Sequence, residues 1–195
     1  MTVRGDTRAI LLAERTALNF FGHLSGIATL TAKWVTQLEG TQCKVRDTRK
    51  TTPGYRLLEK YAVRMGGGTN HRMSLSDAAL IKDNHIAAAG GVVAAFAKVR
   101  EKFPTAEIEI EVDTLDQLRE VMPQKPDLVL LDNMSPAQCA EAVAIVAGKV
   151  KLEASGGISI ENARAYALSG VDFIAVGALT HSAPVFDIGL DLRAE

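Results

Sequence analysis

The sequence predicts an α/β fold whose parallel sheet is close to a barrel. Short apolar runs alternate with helical patterns of about 10–15 residues, which is typical of βαβ units. Seven such runs occur, more than a minimal doubly wound sheet needs and close to the number in a barrel. Polar side chains follow these runs at one strand end after another, as on the face of an α/β barrel that carries an active site.

The first region of the chain, residues 7–38, has helical periodicity. Gly22 and Gly26 predict a division of this region, and Gly40 predicts its end. The predicted strands are 42–48, 61–65, 79–82, 107–112, 127–131, 150–155 and 172–176. The predicted later helices are 54–60, 86–102, 115–122, 136–147 and 160–169. Three residues are suitable N-caps for the helices that follow them: Thr114, Ser135 and Ser159.

We therefore expect two regions, a helical segment over 1–40 that packs on the barrel and an α/β barrel domain over 41–195 that carries the active site. The chain has 195 residues, 47% of them hydrophobic and 23% charged, which suits a globular domain with a sizeable core. Its net charge of −1 provides no global attraction for nucleic acid or an anionic membrane.

Other features of the sequence exclude several classes of protein. Two cysteines are too few for a disulfide framework, so Cys43 on a strand and Cys139 on a helix are expected to be buried thiols. No signal segment is apparent and no apolar run reaches the roughly 20 residues needed to span a bilayer. The expected location is cytoplasmic, with neither a nucleic-acid nor a membrane partner.

The most specific motif is Asp47-Thr48-Arg49-Lys50-Thr51-Thr52-Pro53-Gly54. An arginine can hold a carboxylate or phosphate with two hydrogen bonds, while a lysine offers a point charge to a second anion. The alternative for this motif is a solvated basic turn. A second basic pair, His71-Arg72, follows three glycines, which let backbone approach a ligand or a neighbouring chain closely. The alternative there is a flexible loop.

Acidic residues and a further lysine follow the central strands. Lys82 ends a buried strand, so its charge needs an anion, either a ligand or Asp83 in a structural ion pair. Glu109, Glu111 and Asp113 alternate with apolar residues and share one face of a strand. That face either points into the barrel or belongs to a solvent-facing edge strand. Asp132, at the end of the next strand, is typical of a catalytic or metal-binding carboxylate.

Two small-residue turns follow the last two predicted strands, Ser155-Gly156-Gly157 and Gly177-Ala178. Either turn alone is an ordinary connection, but together they predict a phosphate site formed by backbone N–H groups. No histidine pair has the spacing of a zinc site, and no dinucleotide-binding or P-loop glycine motif occurs. The residues together indicate group transfer from a phosphorylated and pyrophosphorylated sugar to an anionic acceptor.

Long motifs in a consistent order make the resemblance to a known family specific. They are Glu14–Asn19, Ser25–Thr29, Asp47–Gly54, Gly66–Gly68 with His71-Arg72, Lys82–His85, Glu111-Val112, Leu131–Met134 and Glu153–Ile158. The chain resembles the quinolinate phosphoribosyltransferases over nearly its whole length. The resemblance implies a type II phosphoribosyltransferase with an open seven-stranded, TIM-like α/β barrel. It also implies conversion of quinolinate and phosphoribosyl pyrophosphate to nicotinate mononucleotide, pyrophosphate and CO₂, with Mg²⁺, in NAD biosynthesis.

The resemblance also implies a role for each site residue. Four residues would be catalytic: Lys50, Lys82, Glu111 and Asp132. The carboxylates of quinolinate would bind to Arg49, His71, Arg72 and Lys82, with Thr48 also at the substrate. Lys50 would contact pyrophosphate, while Glu111 and Asp132 would bind Mg²⁺ and the ribose hydroxyls and stabilise the oxocarbenium-like centre. The 5′-phosphate would lie on Ser155, Gly156, Gly157, Gly177 and Ala178.

The resemblance finally implies a homodimer or higher homo-oligomer in which Arg15 enters the partner's active site. Members of the family normally have a preceding open-faced sandwich domain of about a hundred residues, a common domain size. This chain resembles the barrel without most of that domain, so we expect ligand binding to exceed turnover. Three alternatives stay open: a paralogue acting on another pyridine carboxylate such as nicotinate, a barrel that only binds or dimerises, and a generic phosphate-binding barrel enzyme.

Overall fold

The computed structural model describes residues 2–191, which form a parallel sheet of six strands with helices between them. The strands are Lys44–Arg46 (β1), Ala79–Ile81 (β2), Ile108–Val112 (β3), Leu128–Asp132 (β4), Lys151–Ser155 (β5) and Phe173–Ala175 (β6). The helices are Thr7–Gln37 (α1), Arg56–Met65 (α2), Asp83–Ala89 (α3), Val92–Lys102 (α4), Leu115–Val121 (α5), Pro136–Val146 (α6), Ile160–Leu168 (α7) and Ala178–His181 (α8). The strand order is β1-β6-β5-β4-β3-β2, which confirms the predicted α/β class.

The described part of the chain has six strands where the sequence predicted seven, and beside β1 it adds only a single bridge. Thr69 pairs in parallel with Arg46 on the free edge of β1, where Thr69 N donates to Val45 O at 2.9 Å and Asp47 N donates to Thr69 O at 3.2 Å. Within residues 2–191 no strand pairing joins this bridge to β2, at the other end of the sheet. The barrel is therefore open between these two edges in the described chain.

The strand predicted over 61–65 is wrong, because these residues form the second half of α2. Ala62 and Val63 are buried beside Glu59 and Lys60, while Tyr61 is exposed, which is the burial pattern of a helix face. A run of five mostly apolar residues does not distinguish a strand from part of a helix. The helix predicted over 86–102 is likewise two helices, α3 and α4, separated by Gly90 and Gly91 with φ of 91° and 133°.

Helix α1 is continuous, so the predicted division at Gly22 and Gly26 is wrong. The two glycines instead allow the C-terminal segment to cross α1 in direct backbone contact. A Cβ at Gly26 would lie 2.0 Å from Pro184 O, and Phe186 N donates to Gly22 O at 2.9 Å. The cost of glycine in a helix is thus offset by a long-range contact that the local sequence does not reveal. The proposed division at residue 40 stays a prediction.

The core lies between the sheet and the surrounding helices, and the helix starts follow the sequence closely. Thr114, Ser135 and Ser159 each form a reciprocal capping box, which confirms all three predicted N-caps. Cys43 and Cys139 are buried and free, and burial raises their thiol pKa values to about 12 and about 11. Such thiols are poor nucleophiles. Among residues 2–191, none of the helices combines the length and the apolar character needed to cross a bilayer.

Candidate active site

All the predicted site residues except Arg15 lie beyond or at the carboxyl ends of the strands. Parallel strands bring these ends to one edge, so residues that are far apart in sequence become neighbours. Apart from Thr48, the site residues after β1, the Thr69 bridge and β2 are basic, and those at the ends of β3 and β4 are acidic. The small-residue turns follow β5 and β6. The carboxyl edge of the sheet therefore has a cationic side, an acidic centre and two glycine turns.

Lys82 pairs with Glu111 rather than with the neighbouring Asp83. The Lys82 Nζ donates to Glu111 Oε2 at 2.6 Å, and the Glu111 side chain is 7% exposed while that of Lys82 is 49% exposed. The structural ion pair considered between Lys82 and Asp83 is thus absent from the described residues. Lys82 is an end-of-strand cation whose charge is balanced by a carboxylate one strand away, where a substrate anion can compete for it.

Asp132 lies beside this pair, and burial raises the pKa of its carboxyl group. The charges of Glu111 and Asp113 raise that pKa further, while Lys82 opposes them. Both Glu109 and Glu111 are buried on β3, so the acidic face of this strand points inward and the solvent-facing alternative is wrong. Only Asp113, just beyond the strand, is exposed. Neighbouring carboxylates such as Glu111 and Asp132 form a suitable site for a cation.

A buried ion pair fixes the backbone from which the basic residues project. The Lys60 Nζ donates to Asp47 Oδ1, and both side chains are 0% exposed. The other Asp47 oxygen accepts from Asn70 Nδ2, and the His71 backbone N donates to Asp47 Oδ1 at 2.8 Å. The segment Asn70–Arg72 is therefore tied to the end of β1 and to α2. Sequence reasoning missed Lys60, because nothing in its local pattern distinguishes it from a surface lysine.

His71 is buried in a charged cluster inside the open barrel. Its Nε2 lies 2.9 Å from Glu109 Oε2 and 3.6 Å from Glu153 Oε1, while Arg46 donates to Glu153 Oε2 at 2.8 Å. Burial, and then the charge of Glu109, raises the pKa of Glu153 to about 7, while Arg46 and His71 oppose the shift. Sequence reasoning named Glu109 but missed the parts played by Arg46 and Glu153.

Three atoms in this cluster have the chemistry of metal ligands and lie within 4.8 Å of one another: one each from His71, Glu109 and Glu153. Two observations argue against a cation between them. The guanidinium of Arg46 already supplies a positive charge, and the Arg72 N–H donates to His71 Nδ1, which leaves the ring proton on Nε2. A protonated nitrogen cannot bind a metal, so the cluster is better described as buried charges.

Arg49 and Arg72 form the cationic side of the site. Burial lowers the pKa of Arg72, and the charge of Arg49 lowers it further. Arg72 donates to Ala78 O at 2.8 Å, whereas Arg49 Nε is buried and has no hydrogen-bond partner among the described residues. Two neighbouring guanidinium groups with an unused donor are an arrangement that an anionic ligand would stabilise.

The turn after β5 is linked to Asp132 through Asn133, which packs against Gly156. The φ of Gly156 is 85°, and a Cβ there would lie 2.1 Å from Asn133 Oδ1. Asn133 N donates to Ser155 O at 2.9 Å, and Asn133 Nδ2 donates to Asp132 Oδ2 at 2.6 Å. The absence of a side chain at Gly156 therefore allows Asn133 to hold the Asp132 carboxylate, which joins the acidic centre to the predicted phosphate turn.

Lys50 lies over the second glycine turn. A Cβ at Gly177 would be 3.0 Å from Lys50 Cδ and 3.1 Å from His181 Nε2, and Thr180 Oγ1 donates to Lys50 O at 2.9 Å. Thr48 supports the same loop, because its Oγ1 accepts from Lys50 N at 3.0 Å. The structure thus brings Lys50 next to the turn that contains Gly177 and Ala178. His181 is a neighbour that sequence reasoning missed.

The structure does not bring Arg15 to the other site residues. Arg15 is exposed on α1 and forms no polar contact with the rest of residues 2–191. Large apolar side chains are also exposed on α1, on α2 and in the connection before α2: Leu11, Leu12, Phe20, Phe21, Tyr55, Leu57, Leu58, Tyr61 and Met65. A concavity of about 420 Å³ lies between α1 and the loop after Lys50. A larger one, about 820 Å³, is at the amino ends of the strands and contains none of the predicted site residues.

The sequence of the chain is similar to those of known proteins, and they identify its family. A family model described as the quinolinate phosphoribosyl transferase C-terminal domain matches residues 27–191. The chain belongs to this family. The nicotinate-nucleotide pyrophosphorylase (carboxylating) of Mycobacterium leprae is 55% identical over 195 residues, which cover 98% of this chain and 69% of the relative. The probable nicotinate-nucleotide pyrophosphorylase (carboxylating) of Bacillus subtilis is 45% identical over 97% of this chain and 66% of the relative.

Solved structures of quinolinate phosphoribosyltransferase relatives have the same fold. The nicotinate-nucleotide pyrophosphorylase of Ehrlichia chaffeensis superimposes with a TM-score of 0.91 at 47% identity over 94% of this chain and 67% of that one. The nicotinate-nucleotide pyrophosphorylase of Francisella tularensis superimposes with a TM-score of 0.91 at 49% identity, over 94% of this chain and 65% of that one. The chain spans about two thirds of the length of the relatives that it matches.

Proposed function

We propose that this chain contains the active site that transfers a phosphoribosyl group to quinolinate with loss of CO₂. The observation that carries the proposal is the pair Arg49 and Arg72: the charge of Arg49 lowers the pKa of Arg72, and Arg49 Nε is buried without a partner among the described residues. A ligand with two carboxylates would satisfy both guanidinium groups. The relatives' shared name, carboxylating nicotinate-nucleotide pyrophosphorylase, supports the same reaction.

The acceptor would lie on the cationic side of the site. Arg49 and Arg72 would each bind a carboxylate with two hydrogen bonds, and Lys82 would turn from Glu111 towards the ligand. A monocarboxylate such as nicotinate would leave part of this charge uncompensated, and the number of cations therefore favours quinolinate. One ring nitrogen of His71 faces Glu109 and the other accepts from the Arg72 N–H, so His71 would help to hold Arg72 in place for the acceptor.

The donor would lie across the glycine turns and the acidic centre. Backbone N–H groups at Gly156, Gly157 and Gly177 would bind the 5′-phosphate, because these glycines have no side chain of their own to hold a ligand away from the backbone. Lys50, next to Gly177, would contact the phosphate groups and assist departure of pyrophosphate. The ribose would then lie between these turns and Glu111 and Asp132.

Glu111 and Asp132 also fit a magnesium ion. Magnesium is usually bound through one or two carboxylates together with substrate phosphates and water, and two neighbouring carboxylates are what this site offers. Burial raises the pKa of Asp132, the charges of Glu111 and Asp113 raise it further, and a cation beside this carboxyl group would oppose that shift. When bound, Mg²⁺ would neutralise the charge that develops on departing pyrophosphate.

The proposed chemistry needs positioning and charge stabilisation. The ring nitrogen of quinolinate forms a bond to C1 of the ribose as the C1–O bond breaks, and pyrophosphate leaves with the electron pair. Glu111 and Asp132 stabilise the positive charge that develops on the sugar. The 2-carboxylate then departs as CO₂, and the electron pair remains at C2 beside the positively charged nitrogen until C2 takes up a proton.

We also propose that two copies of the chain associate through the exposed apolar side chains of α1 and α2. These side chains include Leu12 at 76% and Leu57 at 72% exposure, unusual values for large apolar residues. Arg15 lies on the same helix and has no partner within its own described chain, so association would let it enter the site of the partner. The cytoplasmic location expected from the sequence stays a prediction.

The experiment that tests the activity is detection of nicotinate mononucleotide by mass spectrometry after incubation with quinolinate, phosphoribosyl pyrophosphate and Mg²⁺. Arg49→Ala should abolish the product, because it removes one carboxylate partner. Arg119→Ala is the matched control, since Arg119 forms an exposed ion pair with Asp116 away from the site. If the unmodified chain binds quinolinate but gives no product, the chain is a binding domain; if it neither binds nor reacts, the proposed function is wrong.

A further inference from the structure

Next to Arg72, which the proposed function assigns to the acceptor, four charged or polar residues meet inside the open barrel. Arg46 comes from β1, Glu109 from β3 and Glu153 from β5, and His71 follows the Thr69 bridge. His71, Glu109 and Glu153 are buried, at 9%, 4% and 0% exposure. Glu109 Oε1 and Glu153 Oε1 have no hydrogen-bond partner among the described residues. Burying charged groups with unpaired oxygen atoms costs free energy, so a cluster of this kind is expected to have a role.

The hydrogen bonds of His71 determine which ring nitrogen carries the proton. The Arg72 backbone N–H can only donate, and it donates to His71 Nδ1 at 2.7 Å. Nδ1 is therefore unprotonated and the proton lies on Nε2. That N–H faces Glu109 Oε2 at 2.9 Å and Glu153 Oε1 at 3.6 Å. Two carboxylates thus favour the one tautomer that leaves Nδ1 free to accept from Arg72.

We propose that Glu109 is a positioning residue for acceptor binding, which acts through the His71 tautomer on the placement of Arg72. The inference rests on the proposed function, because it assigns Arg72 to the acceptor. Without Glu109 the ring can turn over or carry its proton on Nδ1, and a proton there would oppose the Arg72 N–H. The Arg72 backbone would then lose its partner just before the side chain that binds a carboxylate.

Arg46 and Glu153 form the fixed base of this arrangement. Arg46 donates to Glu153 and lies 4.5 Å above the ring centroid of Phe173, so the Glu153 carboxylate is held in place. Glu109 has no comparable anchor among the described residues, since its one ion pair is with His71, although its charge also acts on Arg72 and Glu153. Glu109 is therefore the member of the cluster whose removal would release the ring without breaking the Arg46–Glu153 pair.

The tautomer can be measured without any ligand. In ¹⁵N spectra of the imidazole groups, His71 of the unmodified chain should show a protonated Nε2 and an unprotonated Nδ1. Glu109→Ala should shift His71 towards a mixture of tautomers and change the Arg72 amide signal. Glu109→Gln should largely restore the first pattern, because its side-chain oxygen can still accept from Nε2–H. Ile110→Val, the next residue on the same strand, is the control for a general disturbance of β3.

Calorimetric titration then links the tautomer to binding. Glu109→Ala should weaken quinolinate binding by at least about tenfold, the effect of losing one charge-assisted hydrogen bond, and should change the affinity for inorganic phosphate less than about twofold. A His71 that carries its proton on Nδ1 or on both nitrogens in the unmodified chain would overturn the proposal, as would a stoichiometric metal ion that is lost in His71→Ala. So would unchanged quinolinate affinity in a folded Glu109→Ala variant. Failure of the unmodified chain to bind quinolinate would instead contradict the proposed function, while the ligand-free spectra would still decide the tautomer.

Discussion

At the scale of single residues, this protein depends on charges and glycines whose neighbours are distant in sequence. Glu153 lies in the barrel interior beside Glu109, and Gly156 lies against Asn133 of the preceding connection. Neither environment is visible in the local sequence. Gly156 lies in a turn where the sequence predicts a site, and Glu153 lies on the strand that leads to it, so a change at either one tests the link between packing and chemistry.

Gly156→Ala should reduce binding of inorganic phosphate far more than Gly157→Ala does. Both glycines have positive φ, 85° and 63°, so both alanines carry a backbone cost of about 1 kcal/mol or more. Only at Gly156 would the new Cβ clash with Asn133, which holds Asp132. Phosphate titration and thermal unfolding of the two variants separate the shared backbone cost from the clash. Equal loss of phosphate binding in both variants would contradict this account.

Glu153 should make the folded state more stable at mildly acidic than at mildly alkaline pH. Its pKa rises from 4.5 to about 7 on folding, because of burial and then Glu109, with Arg46 and His71 opposing. The folded state thus holds a proton that the unfolded state loses at lower pH. This contribution is fully present below about pH 4.5 and is lost as pH rises through about 7.

Urea unfolding of the unmodified chain and of Glu153→Gln between pH 5 and pH 8 measures the effect. The glutamine resembles the protonated carboxyl group and still accepts from Arg46, so the pH dependence of the unfolding free energy should become flatter over this range. The same slope in both proteins would show that Glu153 titrates as it does in the unfolded chain.

At the scale of elements, α1 and α2 hold the loop that carries Arg49 and Lys50. His23 Nε2 lies 2.8 Å from Glu59 Oε1, and Thr52 N donates to the other Glu59 oxygen at 3.0 Å. Glu59 is fully buried, so it joins the two helices to the basic loop. Neither His23 nor Glu59 is predicted as important by its sequence pattern, because their relation spans 36 residues.

His23→Ala should lower the unfolding free energy by roughly 1–3 kcal/mol, since it leaves a buried carboxylate with one partner fewer. It should also loosen residues 51–54 and weaken binding of phosphoribosyl pyrophosphate. Hydrogen exchange at the Thr52 amide and calorimetric titration check both effects. Lys33→Ala, an exposed change on the same helix, serves as the control and should alter neither measurement.

At the scale of the whole molecule, Arg15 lies apart from the other predicted site residues of its own chain. We propose that a second copy supplies it, and the exposed apolar residues of α1 and α2 offer a surface for association. Sedimentation measures whether the chain associates and whether Leu57→Asp, on the exposed face of α2, prevents it. A chain that stays monomeric at high concentration would contradict the proposed association.

Mixing two inactive variants tests whether Arg15 acts across the interface. Arg15→Ala keeps Lys82, and Lys82→Ala keeps Arg15, so a mixed dimer would contain one complete site. Equal amounts that exchange subunits should recover about a quarter of the activity of the unmodified chain, because half of the dimers would be mixed. Either variant alone should be inactive. No recovery despite demonstrated exchange would place Arg15 in its own subunit's site or outside the chemistry.

Much of the architecture could be predicted because it depends on local patterns. Alternation of apolar runs with helical segments predicts βαβ units, and the capping residues Thr114, Ser135 and Ser159 mark where helices begin. Parallel strands place their carboxyl ends at one edge, so residues such as Lys82 and Asp132 could be predicted to converge. The errors at 61–65 and at Gly22 and Gly26 arose where a short run is ambiguous or where a glycine serves a distant contact.

The sequence alone thus determined the α/β class, the edge on which the site lies and the family, because periodicity and ordered motifs carry this information. Only the tertiary structure decided that Lys82 pairs with Glu111, that Asp47 and Lys60 form a buried ion pair, and that a single bridge at Thr69 extends the six-stranded sheet beyond β1. The tertiary structure also turned His71 inward to Glu109. These features depend on distance and burial between separate segments, and a buried charge is stable only beside the partner that folding brings to it.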